Sequence, residues 1–237
     1  MTADVAAVVG ASGGIGRAIA ERLRDGGARV AALSRRCPDG WPQRDWIPAD
    51  VLDESSLASA AATLAEAGVP TRIIVASGML HGPGFSPEKS MRTISLESLA
   101  TLFAVNAAGP ALVAKHLLPL TPRDRRSVFA VLSARVGSIG DNRPGGWYAY
   151  RASKAALNML VRTLAIEHRR TRPLGICVAL HPGTVDTALS APFQSGVPAG
   201  TLLSPGQAAE ALLAVMDSLG PEANGGFYAP DAKPVPW

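Results

Sequence analysis

Short apolar runs alternate with amphipathic stretches along almost the whole chain. Val5–Val9, Arg29–Leu33, Ile73–Val75, Val128–Leu132 and Ile176–Leu180 are β-branched or apolar runs of strand length, with Trp46–Ile47 a weaker third strand and Gly226–Tyr228 a short last one. Between them lie helical patterns. Ile15, Ile19 and Leu23 recur every fourth position and stop at Gly26–Gly27, a C-cap signal. Residues 54–67 are rich in alanine and leucine, and 149–170 form a long amphipathic stretch. Ser95–Leu118 predicts a longer helix, broken or kinked at Gly109–Pro110 because proline lacks an N–H and crowds the preceding turn. Ser204 and Pro205 supply a cap and a first-turn proline for a helix over 206–219. Strand-then-helix alternation predicts an α/β fold with one domain over residues 1–237. Its six to seven strands form a single parallel, doubly wound sheet with helices on both faces. The segments 34–45, 78–94 and 187–203 read as loops.

Composition narrows the function classes. At 237 residues and 47% hydrophobic, the chain can bury a sizeable core. The net charge of +4 comes from scattered arginines, and the nearest cluster, Arg123, Arg125 and Arg126, is interrupted by Asp124. No nucleic-acid partner is expected from that pattern. Cys37 and Cys177 are too few for a disulfide framework, and neither they nor the histidines have metal-ligand spacing. The opening MTADVAAVVGASGGIG has no basic region, and its apolar run is cut by a glycine turn, so it does not read as a signal peptide. No uninterrupted apolar run approaches the ~18 residues of a membrane span. A cytoplasmic location without a membrane partner is the expectation.

The first chemical signal is the loop after the first strand. Gly10, Gly14 and Gly16 separate that strand from the first helix. Glycines there let the backbone approach a pyrophosphate, whose charge suits the free N–H groups of a helix N-terminus. Gly10-Ala11-Ser12-Gly13-Gly14 also fits the G-x-S-x-G nucleophile elbow of serine hydrolases. That alternative leaves no room for an earlier strand, and no histidine follows Asp186 to complete a triad. At the end of the second strand, LSRRC offers Ser34, Arg35 and Arg36 and no carboxylate. An acidic residue there would bind the ribose of NAD, whereas arginine suits a 2′-phosphate. The pattern therefore favours NADP(H), with NAD(H) second, and Arg35 as the phosphate contact assisted by Arg17.

The second signal is WYAYRASKAAL at 147–157. Tyr150 and Lys154 lie four apart and share a helix face, while Tyr148 would pair with Ala152. A phenol titrates near ~10, and an ammonium within about 4–6 Å favours its ionised form. Tyr150 could then act as general acid toward a carbonyl oxygen or base toward an alcohol.

These motifs together resemble the short-chain dehydrogenase/reductase family, over essentially the whole chain. The run LSARVGSIGDNRPGGWYAYRASKAALNML, with EKS at 88–90 and the ending PVPW, resembles its C-factor branch, close to the sniffer-type carbonyl reductases. The resemblance implies a Rossmann-type fold and a hydride-transferring oxidoreductase with Tyr150 as acid/base, Lys154 supporting it, and Asn106 in a proton relay. It implies a cofactor bed of Gly10, Ser12, Gly14, Ile15 and Gly16, with Ser34 and Arg35 at the ribose and Asp50–Val51 at the adenine. Ser77–Gly78 and the segment Pro182, Gly183, Val185, Thr187 would hold the nicotinamide side, together with Tyr150 and Lys154. The same resemblance leaves open a dinucleotide-binding signalling or regulatory role with little catalysis. It also implies a homodimer or homotetramer through the helices at 97–118 and 149–170.

Three positions depart from the family pattern. Val9 stands where threonine is usual, and Ala76-Ser77-Gly78 where Asn-Ala-Gly is usual. Counting back from Gly137, the family's catalytic serine falls on Ala134. Ser133 is one residue early and would face the opposite side of a strand. Ser138 is the other candidate, and Ser133 is preferred of the two. The loops at 78–94 and 187–203 carry Met79, Leu80, Phe85, Leu189 and Phe193, which predicts an apolar carbonyl or alcohol substrate.

Overall fold

The computed structural model describes residues 4–198 and 200–237. Seven parallel strands form the central sheet in the order β3-β2-β1-β4-β5-β6-β9. They are β1 (Asp4–Val9), β2 (Val30–Ser34), β3 (Trp46–Pro48), β4 (Val69–Val75), β5 (Ser127–Leu132), β6 (Gly175–Leu180) and β9 (Phe227–Tyr228). The α-helices among the described residues are α1 (Gly14–Asp25), α2 (Glu54–Ala67), α3 (Leu96–Phe103), α4 (Gly109–Leu117), α5 (Tyr148–Arg169) and α6 (Pro205–Ser218). This is the doubly wound, Rossmann-like arrangement that the alternation predicts.

Period-two alternation divides the core between the two faces. Val5, Ala7 and Val9 of β1 face one layer, where Leu57 and Leu64 of α2, Val113 and Leu117 of α4, and Leu157 and Val161 of α5 cover the sheet. Ala6 and Val8 face the other, with Ile19 and Leu23 of α1 and Leu212 and Met216 of α6. Strands buried on both faces read as continuous apolar runs, which is why they are visible in the sequence.

Two elements differ from expectation. β4 begins at Val69, earlier than the Ile73–Val75 run, because Pro70 and Arg72 mask its start. The pairing with β1 shifts register between Val5 and Ala6, beside that proline. The break expected at Gly109–Pro110 lies upstream instead, as a π turn over Ala104–Ala108. Pro110 has no N–H to offer the Asn106 carbonyl one turn back, and the widened turn absorbs the missing bond. Gly109 closes it with its N–H on the Ala104 carbonyl. By length and composition alone the helical run Leu96–Leu120 could cross a membrane. Here it forms a layer of the fold, with Leu102, Val113 and Leu117 fully buried.

A second, two-stranded parallel sheet pairs β7 (Thr184–Val185) with β8 (Leu202–Leu203). It pins both ends of the 187–203 loop beside the carboxyl ends of β5 and β6. In open α/β sheets, the crevice at the strand carboxyl ends is where ligands bind.

Candidate active site

The chain leaves β1 through Gly10 and Gly14, at φ +85° and +48°. The Gly10 N–H donates to the Leu33 carbonyl at 2.8 Å, fixing the loop to the end of β2. Gly16 makes the tightest approach: a Cβ there would sit 2.3 Å from the Gly10 carbonyl oxygen. α1 begins with Gly13 as its N-cap, without a side-chain acceptor or an acidic first turn. Its leading N–H groups are therefore available to an anion. Thr187 covers this loop from the far side, its Cγ2 3.2 Å from where a Cβ on Gly14 would lie.

Ser12 lines a cavity of about 670 Å³ with Arg35, Arg36, Cys37, Pro38 and Asp39. That lining contains no histidine, so Ser12 has no partner there for hydrolase chemistry. Two arginines beside uncapped helix amides fit a phosphorylated ligand. Arg17 borders the same corner, donating to the Asp39 carbonyl at 3.0 Å and to Glu21 at 2.8 Å. Ser34 is buried, and its hydroxyl donates to the Arg36 carbonyl at 2.6 Å and accepts from the Trp46 indole at 3.2 Å. It shapes the end of β2 rather than facing this cavity. Asp50 accepts from the Leu52 N–H at 3.0 Å, and Val51 packs where a Cβ on Gly109 would lie, 3.0 Å away.

A second cavity, of about 420 Å³, opens beside the first turn of α5. Tyr150, Ser133, Ala134, Pro182, Gly183, Val185 and Thr187 line it with Ile15, and Leu80, Leu189 and Phe193 come from the two loops. Three of the five apolar loop residues thus wall the cavity, whereas Met79 and Phe85 pack on the cluster around Tyr150 without lining it. Tyr150 is 8% exposed and Lys154 3%, whereas Tyr148 is 39% exposed and outside the cavity. The helix thus turns Tyr150, and not Tyr148, into the cavity. Lys154 Nζ lies 5.9 Å from the Tyr150 ring centre and donates to the Leu132 carbonyl at 2.8 Å. Gly78 admits this ammonium beside Asn106: a Cβ on Gly78 would be 3.6 Å from Nζ and 3.5 Å from Asn106 Oδ1. The Asn106 amide is fully used, accepting from the Met79 N–H at 2.8 Å and donating to the Met79 carbonyl at 2.8 Å and to Ser153 at 3.1 Å.

Burial sets the proton affinities. It pushes the Tyr150 phenol above its ordinary range, because the phenolate would lose its water. It pulls the Lys154 ammonium down to about 8. Lys154 is expected to lower the phenol, but the shift here is upward and its cause is loss of water alone. Tyr150 is consequently a neutral O–H donor across the physiological range.

The two serines are placed differently. Ser133 lines the cavity wall, and its hydroxyl donates to Asn158 Oδ1 at 2.6 Å. Ser138 lies outside the lining and accepts from the Asp141 N–H at 3.1 Å. Between them Ala134 packs on the cluster that contains Tyr150. No hydroxyl occupies that position. At the family's altered strand ends, the Ala76 N–H bonds the Val9 carbonyl at 2.8 Å, so the backbone ties β4 to β1 there.

Three residues here escape a motif reading. Asn158 extends the four-residue spacing of Tyr150 and Lys154 along α5, a visible signal. Trp147 adopts φ 53° and ψ 43° after Gly145 and Gly146, both also at positive φ. Its indole meets Tyr150 and Phe193 edge-on at 6.2 and 5.4 Å. His181 lines the cavity with its Nδ1 buried and unpartnered among the described residues. Burial and the nearby Arg135 hold its imidazole down at about 4, hence neutral.

Residues 4–197 match the model of the short chain dehydrogenase family. The chain belongs to that family. It is an oxidoreductase of the short-chain type, and two curated relatives carry the likeness further. C-signal of Myxococcus xanthus is 38% identical over 145 residues, covering 61% of this chain and 81% of that protein. The 1-hydroxy-2-glutathionyl-2-methyl-3-butene dehydrogenase of Rhodococcus sp. strain AD45 is 30% identical, covering 97% of this chain and 98% of its own length. Among solved structures, a short-chain dehydrogenase/reductase from Burkholderia multivorans with bound NADP superposes with a TM-score of 0.82 at 26% identity, covering all of both chains.

Proposed function

We propose that this short-chain dehydrogenase uses NADP(H) to interconvert a carbonyl compound and its alcohol, with Tyr150 as the general acid/base. The observation that carries this reading is Tyr150 in the wall of the cavity that Thr187 links to the glycine loop, with Lys154 buried one helical turn behind it. The nicotinamide, when bound, supplies or takes the hydride. Gly10, Ser12, Gly14 and Gly16 would hold its pyrophosphate, and Asp50 and Val51 its adenine. Ser77, Gly78, Pro182, Gly183, Val185 and Thr187 would frame the nicotinamide. Tyr150, kept neutral by burial, donates its proton to the substrate oxygen in reduction. Lys154 holds a charge below about pH 8, fixed by the Leu132 carbonyl. A substrate oxygen approaching Ser133 competes with Asn158 for the serine proton. Leu80, Leu189, Phe193 and Trp147 select an apolar substrate body.

The whole chain acts as one unit in this reading. Exposed Leu96 and Phe103 on α3, with Met159 and Ile166 on α5, support pairing between copies through the long helices.

NADP(H) is preferred because Arg35 and Arg36 replace a carboxylate at the end of β2, a reading that the NADP-bound relative supports. Arg35→Ala is expected to raise the NADPH dissociation constant by about tenfold and leave that for NADH within about twofold, since only the 2′-phosphate is lost as a partner. Fluorescence titration measures both. Equal or tighter NADH binding by the unaltered protein would reverse the preference.

A second reading, a dinucleotide-binding regulator with little turnover, is favoured by Ala134 facing the cavity and by the similarity to C-signal. A panel of aldehydes, ketones and quinones with NADPH separates the two. Absorbance loss at the cofactor band above background supports the enzyme. Tight NADPH binding with no oxidation across the panel supports the regulator.

A further inference from the structure

α5 begins without a cap of its own. Its N-cap residue, Trp147, offers no side-chain acceptor, and the first turn holds no acidic residue. Trp147 also sits in the left-handed region, where a bulky side chain is held only if its surroundings enforce it.

The missing cap comes from elsewhere in the chain. Glu88, in the loop between β4 and α3, is 4% exposed. Its Oε2 accepts from the Ala149 N–H at 3.2 Å, and its Oε1 accepts from Ser98 Oγ of α3 at 3.1 Å. Its own carbonyl accepts from the Trp147 N–H at 2.6 Å. Gly146 passes close against that carbonyl, within 3.4 Å of where its Cβ would be. One residue therefore satisfies two N–H groups at the start of α5, and a carboxylate there also faces the positive end of the helix dipole. Tyr150 directly follows Ala149, so any shift of this first turn carries the phenol with it.

We propose that Glu88 is a positioning residue for the tyrosine site. Bridged to Ser98, its carboxylate caps α5 from outside the helix and fixes Trp147 and Tyr150 at the cavity wall. The 78–94 loop thereby does two things: Leu80 lines the cavity and Glu88 sets the helix that carries the proton donor. The inference rests on the reading of Tyr150 as acid/base.

The test compares Glu88→Ala with Glu88→Gln. It uses NADPH and whichever of 4-nitrobenzaldehyde, menadione or 9,10-phenanthrenequinone the unaltered protein reduces fastest. Glu88→Ala is expected to lower kcat by about tenfold or more per folded molecule, with the NADPH dissociation constant within about twofold. Glu88→Gln keeps an oxygen for the Ala149 N–H and a donor for Ser98 Oγ, so its kcat is expected within about threefold of the parent. Hydrogen exchange at residues 147–151 should accelerate in the alanine variant and not in the glutamine variant. Unchanged kcat in Glu88→Ala, equal impairment of both variants, or NADPH affinity falling in parallel with kcat would each overturn the proposal. Should Glu88→Ala not fold, Ser98→Ala releases one carboxylate oxygen instead. A several-fold loss of kcat with NADPH affinity kept then supports the proposal, and full kcat overturns it. If the unaltered protein reduces none of the three probes, the functional reading fails, and exchange at 147–151 alone decides whether Glu88 sets the helix start.

Discussion

Tyr150→Phe is expected to lose about 10³-fold in kcat while binding NADPH as tightly as the parent protein. The substitution removes one oxygen from a ring that is already buried against Leu80, Leu102 and Ala149. Phenylalanine fills the same space, and among the described residues the phenol oxygen has no hydrogen-bond partner that would be orphaned by its loss. The stability cost is therefore small, and the lost turnover reports chemistry. Burial keeps the phenol protonated, and the Ser133 hydroxyl in the same wall is committed to Asn158. Stopped-flow NADPH oxidation and equilibrium fluorescence separate the two effects. Turnover within about tenfold of the parent would remove Tyr150 from the role of proton donor.

Gly16→Ala is expected to weaken NADPH binding by about 100-fold and to lower stability by about 1–3 kcal/mol. The added methyl would stand 2.3 Å from the Gly10 carbonyl oxygen and 3.0 Å from the Ala76 Cβ. Neither neighbour is the end of a flexible side chain, so the loop must move away from α1. That motion turns the leading N–H groups of the helix off the pyrophosphate and loosens the contact between β1 and α1. Gly13→Ala is the control, since a Cβ there meets nothing within 4 Å. Thermal melts and NADPH titrations should separate the two variants clearly. Equal behaviour would mean that close packing at Gly16 does not shape the loop.

The parts of the fold that are legible in the sequence are those where one physical pattern acts alone. Val128–Leu132 and Ile176–Leu180 are buried on both faces, and their continuous apolar runs leave no alternative to a central strand. Ile19 and Leu23 mark the buried side of α1, and the capping pair Ser204–Gln207 starts α6 where Ser204–Pro205 predicts it. The start of β4 is hidden because Pro70 and Arg72 are tolerated at a strand beginning beside a register shift. The π turn is hidden for a different reason. Pro110 announces a disturbance, but the helix absorbs it upstream, over Ala104–Ala108, where no local pattern marks the turn.

The site divides in the same way. Tyr150, Lys154 and the loop glycines follow from spacing on one element each. Ser133 illustrates the limit: it and Ala134 both line the cavity, and only the position of Asn158 shows where the serine hydroxyl goes. Glu88 is more remote still. It reaches Ala149 across 61 residues, and its EKS surroundings carry no helix-start signal for α5.

On the proposed reading, hydride passes from bound NADPH to a carbonyl carbon in the cavity beside Tyr150. The most direct measurement of that transfer uses NADPH deuterated at the transferring carbon, with mass spectrometry of the alcohol formed from the best substrate of the panel. One deuterium per product molecule is expected with the parent protein, and no labelled product above background with Tyr150→Phe. Unlabelled alcohol from the parent protein, or full label with Tyr150→Phe at parental rate, would contradict that reading.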